Sequence, residues 1–237
     1  VVRLLAVVKE RLARGVRRRQ KCRGAPAHCF LPMRILRLLA TRAATTTAVE
    51  CWRNELASLS ALRHTYCLVR HGESEANVAG IVSCEPDASS GFKHGLTPLG
   101  LAQARDRPAA AILDFLRDES REAMMPVRIL SSDFKRTIQT AEQITQALQK
   151  LEVQTEDLRT DPRLRERSFG SLNLGPDTEY AKVWEADLRD CLDGVEPVES
   201  VQHRGSALVA ELERSSLQDS LVVLVGHGDL LQILQTA

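Results

Sequence analysis

Three short runs of mainly apolar residues stand out along the chain: Tyr66–Val69, Val127–Leu130 and Leu221–Val225. Apart from Arg128, these runs are apolar throughout and do not alternate with polar residues. That pattern is typical of strands that are buried on both faces of a parallel sheet. The pattern therefore predicts three central strands.

Helical patterns lie between these runs. Thr97 can cap a helix and Pro98 suits the first helical position, which predicts a helix to about Leu116 that Pro108 should kink or break. A second helix is predicted after Ser132, and a third helix after Ser200. The apolar positions of the second helix recur at helical spacing: Ile138, Ala141, Ile144, Leu148 and Leu151. Alternating strands and helices predict a three-layer α/β/α domain around a mostly parallel central sheet.

Charge divides the chain of 237 residues into two parts. Residues 1–48 hold ten Arg, two Lys and one acidic residue, Glu10. We therefore predict a basic leader over 1–60 and a globular domain over 61–237. The segment from Met33 is basic and hydroxylated and can form an amphipathic helix, as in mitochondrial or plastid import sequences. A disordered basic tail or mistranslated upstream sequence are the alternatives, so the domain is expected in the cytoplasm or in an organelle.

Composition excludes several classes of function. The net charge of +1 does not predict a nucleic-acid partner, and no apolar run approaches the roughly 20 residues of a membrane span. The six cysteines form no CxxC pair and follow no secretory signal, which favours reduced thiols in an intracellular protein and gives no zinc-site pattern. No metal site and no cofactor are predicted. The oligomeric state is left open.

Reactive residues follow each predicted strand. Arg70 and His71 follow the first strand, Arg136 lies shortly after the second, and His227 follows the third between two glycines. Ligands of open α/β sheets bind at the carboxyl ends of strands, so neighbouring strands would bring these four side chains into one pocket. Guanidinium forks match phosphate oxygens, and a neutral imidazole can attack phosphorus. The sequence therefore predicts a site for a small phosphorylated substrate.

Five segments in order resemble the histidine phosphatase superfamily, also called the phosphoglycerate mutase-like family. They are Val69-Arg70-His71-Gly72-Glu73-Ser74, Leu96–Ala104, Ser131–Ala141, Leu164–Gly170 and Val225–Gly228. The resemblance covers about residues 64–237. It implies a phosphoglycerate mutase-like fold and chemistry that requires no metal ion.

The resemblance also implies roles for particular residues. His71 would be phosphorylated, and Glu166 would protonate the leaving group and then activate water. Arg70, Asn77, Arg136 and His227 would hold the phosphoryl oxygens. A catalytic role is not the only interpretation of Glu166, because Arg163–Arg167 could simply be an exposed run of charges. The family normally continues beyond the position of Ala237, so we expect a chain that is truncated at its carboxyl end.

Three functions remain open from sequence. The first is a phosphatase that hydrolyses small phosphomonoesters through phosphohistidine. The second is a phosphoglycerate mutase, but Glu166 and His227 are only 61 positions apart, which is short for the mutase insertion, and residues 171–200 contain only Lys182 and Arg189 as cations. The third is a pseudo-enzyme that binds a phosphorylated ligand or a protein. The presence of all the catalytic candidates argues against this third reading.

Overall fold

The computed structural model describes the backbone of residues 4–8 and 118 and, in full, residues 62–117, 125–189, 191–215 and 218–236. Most of the predicted leader, including the segment from Met33, lies outside the described residues. The backbone of Leu4–Val8 forms an edge strand, which the sequence analysis did not predict.

A five-stranded sheet forms the centre of the domain. Its strands are β1 (Leu4–Val8), β2 (Thr65–Arg70), β3 (Val127–Ser131), β4 (Arg159–Thr160) and β5 (Leu221–Gly226), in the order β1-β2-β5-β3-β4. All neighbours are parallel except β1, which pairs antiparallel with β2. The three predicted strands are therefore confirmed as the adjacent central strands β2, β5 and β3, and their carboxyl ends lie side by side.

Six helices connect the strands of the described chain. They are α1 (Glu75–Ala79), α2 (Pro98–Asp118), α3 (Lys135–Lys150), α4 (Tyr180–Ala186), α5 (Val198–Arg214) and α6 (Gly228–Leu234). The predicted start of α2 is confirmed, because Thr97 Oγ1 accepts a hydrogen bond of 3.0 Å from the N–H of Gly100. Helix α5 begins at Val198, two residues before the predicted cap.

Two apolar cores cover the two faces of the sheet. Helices α2 and α3 contribute Ala109, Ile112, Ala141 and Ile144 to one core. The opposite core is closed by α5 and α6, which contribute residues such as Leu208 and Leu230. Alternate residues of each strand face each core, so the central strands are mainly apolar on both sides. The predicted three-layer α/β/α architecture is confirmed.

Pro108 does not break α2, so that part of the prediction that it should kink or break the helix is wrong. The helix runs from Pro98 to Asp118 with Pro108 in its interior. Pro108 is itself buried, and Ala109 and Ile112 pack into the core. Burial of this helical face compensates for the hydrogen bond that proline removes.

A third apolar cluster lies outside the two sheet cores. It joins Val82 and Cys84, which follow α1, to Phe169, Val183 of α4 and Val195. The cluster residues lie in the loops and the short helix that connect the strands, and His71, Arg136 and His227 lie just after the ends of those strands. The cluster therefore connects the loop after α1 to the Glu166 segment.

The two-sided burial of β5 predicts a large effect of truncating Leu224. Its side chain is fully buried, and Leu224→Ala should lower the free energy of unfolding by about 2–5 kcal/mol. Leu99→Ala is the matched control, because Leu99 is 55% exposed on α2, and it should change that free energy by less than about 0.5 kcal/mol. Urea denaturation of both variants measures the difference. Equal losses would contradict the assignment of β5 as the central strand.

Candidate active site

His71 presents one ring nitrogen to the site. The residue follows β2 and is 5% exposed. Arg136 Nε lies 3.1 Å from His71 Nε2 and can only donate, so His71 Nε2 must accept. The proton of the neutral ring is then on Nδ1, which donates to the carbonyl oxygen of Gly72 at 2.7 Å. The lone pair of Nε2 therefore faces the guanidinium of Arg136.

His227 has the opposite tautomer. Its Nδ1 accepts a hydrogen bond of 3.0 Å from Arg136 Nη2. Its Nε2 consequently carries the proton, which it donates to Ser132 Oγ at 3.1 Å. The two imidazole rings are 5.2 Å apart between centroids and inclined at 64°. The structure thus brings His71, Arg136 and His227 together, as predicted from their positions after three neighbouring strands.

Arg136 is buried without a carboxylate among its direct hydrogen-bond partners in the described chain. Besides the two histidines, it donates to the carbonyl oxygen of Ser83 at 2.8 Å and to Ser83 Oγ at 3.4 Å. Its guanidinium also lies 5.1 Å from the ring centre of Phe134. Burial lowers the pKa of Arg136 to about 10, so the group is still charged at neutral pH. Ser83 was not predicted, because nothing in its sequence context marks it as a partner of a residue 53 positions later.

Both imidazoles are held neutral. Burial is the main cause that lowers the pKa of His71 and of His227 well below the usual value, and the positive charge of Arg136 adds to it. A protonated imidazole has no lone pair on the nitrogen that would attack. The environment of His71 therefore favours the nucleophilic form.

Arg70 and the glycines complete the rim of the site. A methyl group on Gly228 would lie 3.8 Å from Arg70 Cζ and Nε, so the guanidinium is beside the turn that carries His227. A methyl group on Gly72 would collide with the carbonyl oxygen of Gly100. This close contact holds the turn after His71 against the start of α2.

Asn77 is placed differently from the other predicted phosphate ligands. It is exposed on α1, and its Oδ1 accepts hydrogen bonds from the Ser74 N–H at 3.0 Å and from Ser74 Oγ at 2.9 Å. These contacts cap α1 and do not join the His71–Arg136–His227 cluster. A role of Asn77 in phosphate binding stays a prediction.

Glu166 lies between two paired arginines. Arg165 forms a bidentate ion pair with Asp133, with distances of 2.8 and 2.6 Å. Arg167, whose side chain is 1% exposed, forms a second such pair with Asp187 at 2.6 and 2.7 Å. The alternative of a simply exposed run of charges is therefore wrong for this segment.

Arg204 of α5 holds the backbone around Glu166. Its guanidinium donates to the carbonyl oxygens of Arg163 at 2.6 Å, Arg165 at 2.8 Å and Glu166 at 3.2 Å. Glu196 pairs with the same guanidinium at 2.9 Å. Arg204 was not predicted from the sequence, because its partners are backbone carbonyls about 40 positions away, which no side-chain motif indicates.

The carboxyl group of Glu166 is suited to proton donation. Burial is the main cause that raises its pKa to about 7, and the negative charge of Asp229 adds to it, while Arg136 and Arg70 oppose the rise. A carboxyl group with this pKa can be protonated or ionised near neutral pH. It therefore has the property required of an acid that later acts as a base.

Asp229 is a second site residue that the sequence analysis missed. It stands two positions after His227 at the start of α6, and burial raises its pKa. Both of its carboxylate oxygens accept from Trp184 Nε1 at 3.2 Å, and Arg167 lies 3.8 Å away. The partner on α4 becomes visible only in the folded chain.

Neither a metal cluster nor a membrane helix occurs in the described part of the chain. Its His, Cys, Asp and Glu side chains form no group of three or more that could hold a metal ion. Within the same residues, no helix has the length and apolar character needed to cross a membrane.

The fold and the site define an α/β protein whose strand ends hold a buried guanidinium between two neutral histidines. The sequence pattern of the histidine phosphatase superfamily, branch 1, matches residues 66–237. The chain belongs to this superfamily, as its five segments predicted.

Individual relatives include both mutases and phosphatases. A probable phosphoglycerate mutase from Proteus mirabilis is 31% identical over 168 residues, which cover 68% of this chain and 68% of the relative. The structure of a mycobacterial glucosyl-3-phosphoglycerate phosphatase matches with a TM-score of 0.51 and 27% identity, covering 71% of this chain and 76% of that one. A putative alpha-ribazole-5'-P phosphatase from Escherichia coli has the same fold, with a TM-score of 0.51, 21% identity and coverage of 72% and 76%.

Because Asp229 is close to Glu166, we predict that removing the charge of Asp229 lowers the pKa of Glu166. Asp229→Asn removes a negative charge while the new side chain can still accept from Trp184, so the pKa of Glu166 should fall below about 7. Carbon-13 NMR titration of the glutamate carboxyl carbons, assigned with Glu166→Gln, measures this pKa directly. Asp193→Asn is the control, because Asp193 is exposed. A pKa that stays constant or rises in Asp229→Asn would contradict the coupling.

Proposed function

We propose that the protein is a phosphatase that hydrolyses small phosphomonoesters through a phosphohistidine at His71. The observation that carries this proposal is the pairing of His71 Nε2 with Arg136 Nε at 3.1 Å, while His71 Nδ1 is held by the Gly72 carbonyl at 2.7 Å. This geometry supports a nucleophilic lone pair beside a fixed positive charge.

The first step transfers the phosphoryl group to the enzyme. A substrate phosphate takes the place of the hydrogen bond between Arg136 and His71, and its oxygens accept from Arg136 and Arg70. His227 donates to them through its Nε2–H, which must leave Ser132 Oγ to do so. Nε2 of His71 forms a bond to phosphorus as the ester P–O bond breaks. Glu166 in its protonated form donates its proton to the departing oxygen, which leaves as a neutral alcohol.

The second step regenerates the enzyme. Glu166, now ionised, removes a proton from a water molecule while the water oxygen bonds to phosphorus. The P–N bond breaks, inorganic phosphate forms and the lone pair returns to His71 Nε2. Glu166 ends the cycle protonated, as it began. The pKa of about 7 supports both uses of the same carboxyl group.

The second candidate function is a phosphoglycerate mutase, which the 31% identity to the Proteus mirabilis relative favours. A mutase needs cations for the substrate carboxylate. Between 171 and 200 the cations are Lys182 and Arg189, and both pair with acids of their own helical segment, at 2.7 Å to Glu179 and 3.4 Å to Glu185. These pairs support hydrolysis over transfer back to a phosphoglycerate.

Hydrolysis of p-nitrophenyl phosphate with EDTA present tests the proposal. We expect release of inorganic phosphate by the wild-type protein and at least a 10³-fold loss of kcat in His71→Ala, because removing a nucleophile ends covalent catalysis. Circular dichroism must show that both proteins are folded. A folded wild-type protein without activity, or activity that survives in His71→Ala, would refute the proposal.

The dual role of Glu166 predicts a trapped intermediate. p-Nitrophenolate leaves with little need for a proton, so Glu166→Gln should slow phosphorylation less than hydrolysis of the phosphoenzyme. Phosphohistidine should therefore accumulate in Glu166→Gln and be visible by phosphorus-31 NMR of the denatured protein. Glu199→Gln, an exposed change on α5, is the control and should show no accumulation. Loss of activity without any phosphohistidine would assign Glu166 to the first step alone.

A further inference from the structure

Trp184 is an exposed aromatic residue beside the site. Its indole is stacked on Tyr180, with the ring centroids 5.7 Å apart and the rings inclined at 14°. Its Nε1 donates to both carboxylate oxygens of Asp229 at 3.2 Å. The residue is nevertheless 50% exposed. One face and the polar edge are therefore fixed, and the other face of the ring is open.

Three observations connect this indole to the catalytic groups: a sequence separation, a ring contact and an electrostatic effect. Asp229, which holds Nε1, is two positions after His227. Tyr180, which supports the ring, packs edge-on against Phe169 at 4.9 Å between centroids. After burial, the charges of Glu166 and Asp229 raise the pKa of Tyr180, so its hydroxyl group lies in the field of both carboxyl groups. The indole thus belongs to the side of the site where Glu166 would meet a leaving group.

The charges around the indole disfavour a second anion on the substrate. Glu166, Asp187 and Asp229 are all carboxylic residues of this region, and the side chain of Arg167 is already paired with Asp187 at 2.6 Å. Lys182, on the same helix as Trp184, pairs with Glu179. A leaving group with its own carboxylate or phosphate would find carboxylates, and the cations Arg167 and Lys182 are already paired. Arg70 is a further cation of the site, and the proposed mechanism assigns it to the phosphoryl oxygens. An uncharged apolar group would find the open indole face.

We infer that Trp184 is a substrate-binding residue and that the preferred substrates are phosphate monoesters whose leaving group is an uncharged aromatic ring stacked on its open face. The inference rests on the proposed phosphatase function and specifies its substrate class. The ring is already immobilised by Tyr180 and Asp229, so stacking on it orders no further side chain of the protein. Aromatic stacking adds to the burial of apolar surface, and together they justify an effect of about ten-fold or more.

The test compares 1-naphthyl phosphate with glycerol 2-phosphate in the wild-type protein and three variants. Trp184→Ala should lower kcat/KM for 1-naphthyl phosphate about ten-fold or more and change that for glycerol 2-phosphate less than about two-fold. Trp184→Phe retains a ring but loses the Nε1–H donor, and it should restore most of the naphthyl activity. Leu188→Ala is the matched control, because Leu188 is an apolar residue four positions later that is 53% exposed. It should leave both values unchanged.

Two outcomes would overturn the inference. Equal losses on both substrates in Trp184→Ala, with no recovery in Trp184→Phe, would mean that Trp184 acts only by holding Asp229. Unchanged values for both substrates would mean that the ring does not contact the leaving group. If either occurs while His71→Ala abolishes activity, the proposed phosphatase function stands and only the substrate class fails.

Binding of a non-hydrolysable analogue keeps the test independent of turnover. Isothermal titration calorimetry should show that 1-naphthylmethylphosphonate binds about ten-fold more tightly than methylphosphonate, and that Trp184→Ala removes most of this difference. A protein that binds the naphthyl analogue through Trp184 without hydrolysing any ester would refute the phosphatase function and retain the binding site. Equal binding of the two phosphonates would refute the site itself.

Discussion

The buried guanidinium of Arg136 is the group on which the site depends. Its direct partners in the described chain are His71, His227 and Ser83, all of them neutral. A buried charge without a direct counter-ion is costly, and proteins usually pair it. The domain tolerates this charge because it is shared among acceptors from strand ends β2 and β5 and from the loop after α1. A phosphate dianion would supply the missing countercharge, which links stability of the pocket to occupancy by a ligand.

Arg136 and Asp229 shift the pKa values of two neighbouring groups in opposite directions: Arg136 lowers that of His71, and Asp229 raises that of Glu166. On one side, burial and the positive charge of Arg136 keep His71 neutral, as a nucleophile requires. On the other, burial and the negative charge of Asp229 keep Glu166 protonated to higher pH than an ordinary glutamate, as an acid requires. Burial is the largest cause of both shifts, and the charge of Arg136 acts on both groups, because it also opposes the rise in the pKa of Glu166. Under the proposed function, opposite shifts of this kind let an attacking base and a proton donor coexist at one pH.

Sequence alone predicted the parts of the site that strand ends determine. His71, Arg136 and His227 follow mainly apolar strands, and parallel pairing of those strands requires that their ends meet. Asp229 and Arg204 were missed for a different reason. Trp184 reaches Asp229 only after α4 docks, and Arg204 recognises backbone carbonyls that carry no sequence signal. Likewise, the two residues of β4 are too few for a hydrophobic pattern. The helix break predicted at Pro108 does not occur, because local propensity gave way to burial of the helix face.

The position of Glu166 is determined by its neighbours more than by its own contacts. Arg165 ties the segment to Asp133 at the end of β3, and Arg167 ties it to Asp187 after α4. Arg204 adds three hydrogen bonds to the backbone from α5. Catalytic groups are effective when their supporting contacts fix them before the substrate arrives, because no reorganisation is then needed in the transition state. The same ion pairs neutralise cations that would otherwise attract a second anion. The position of Glu166 and the proposed preference for uncharged leaving groups therefore depend on the same ion pairs.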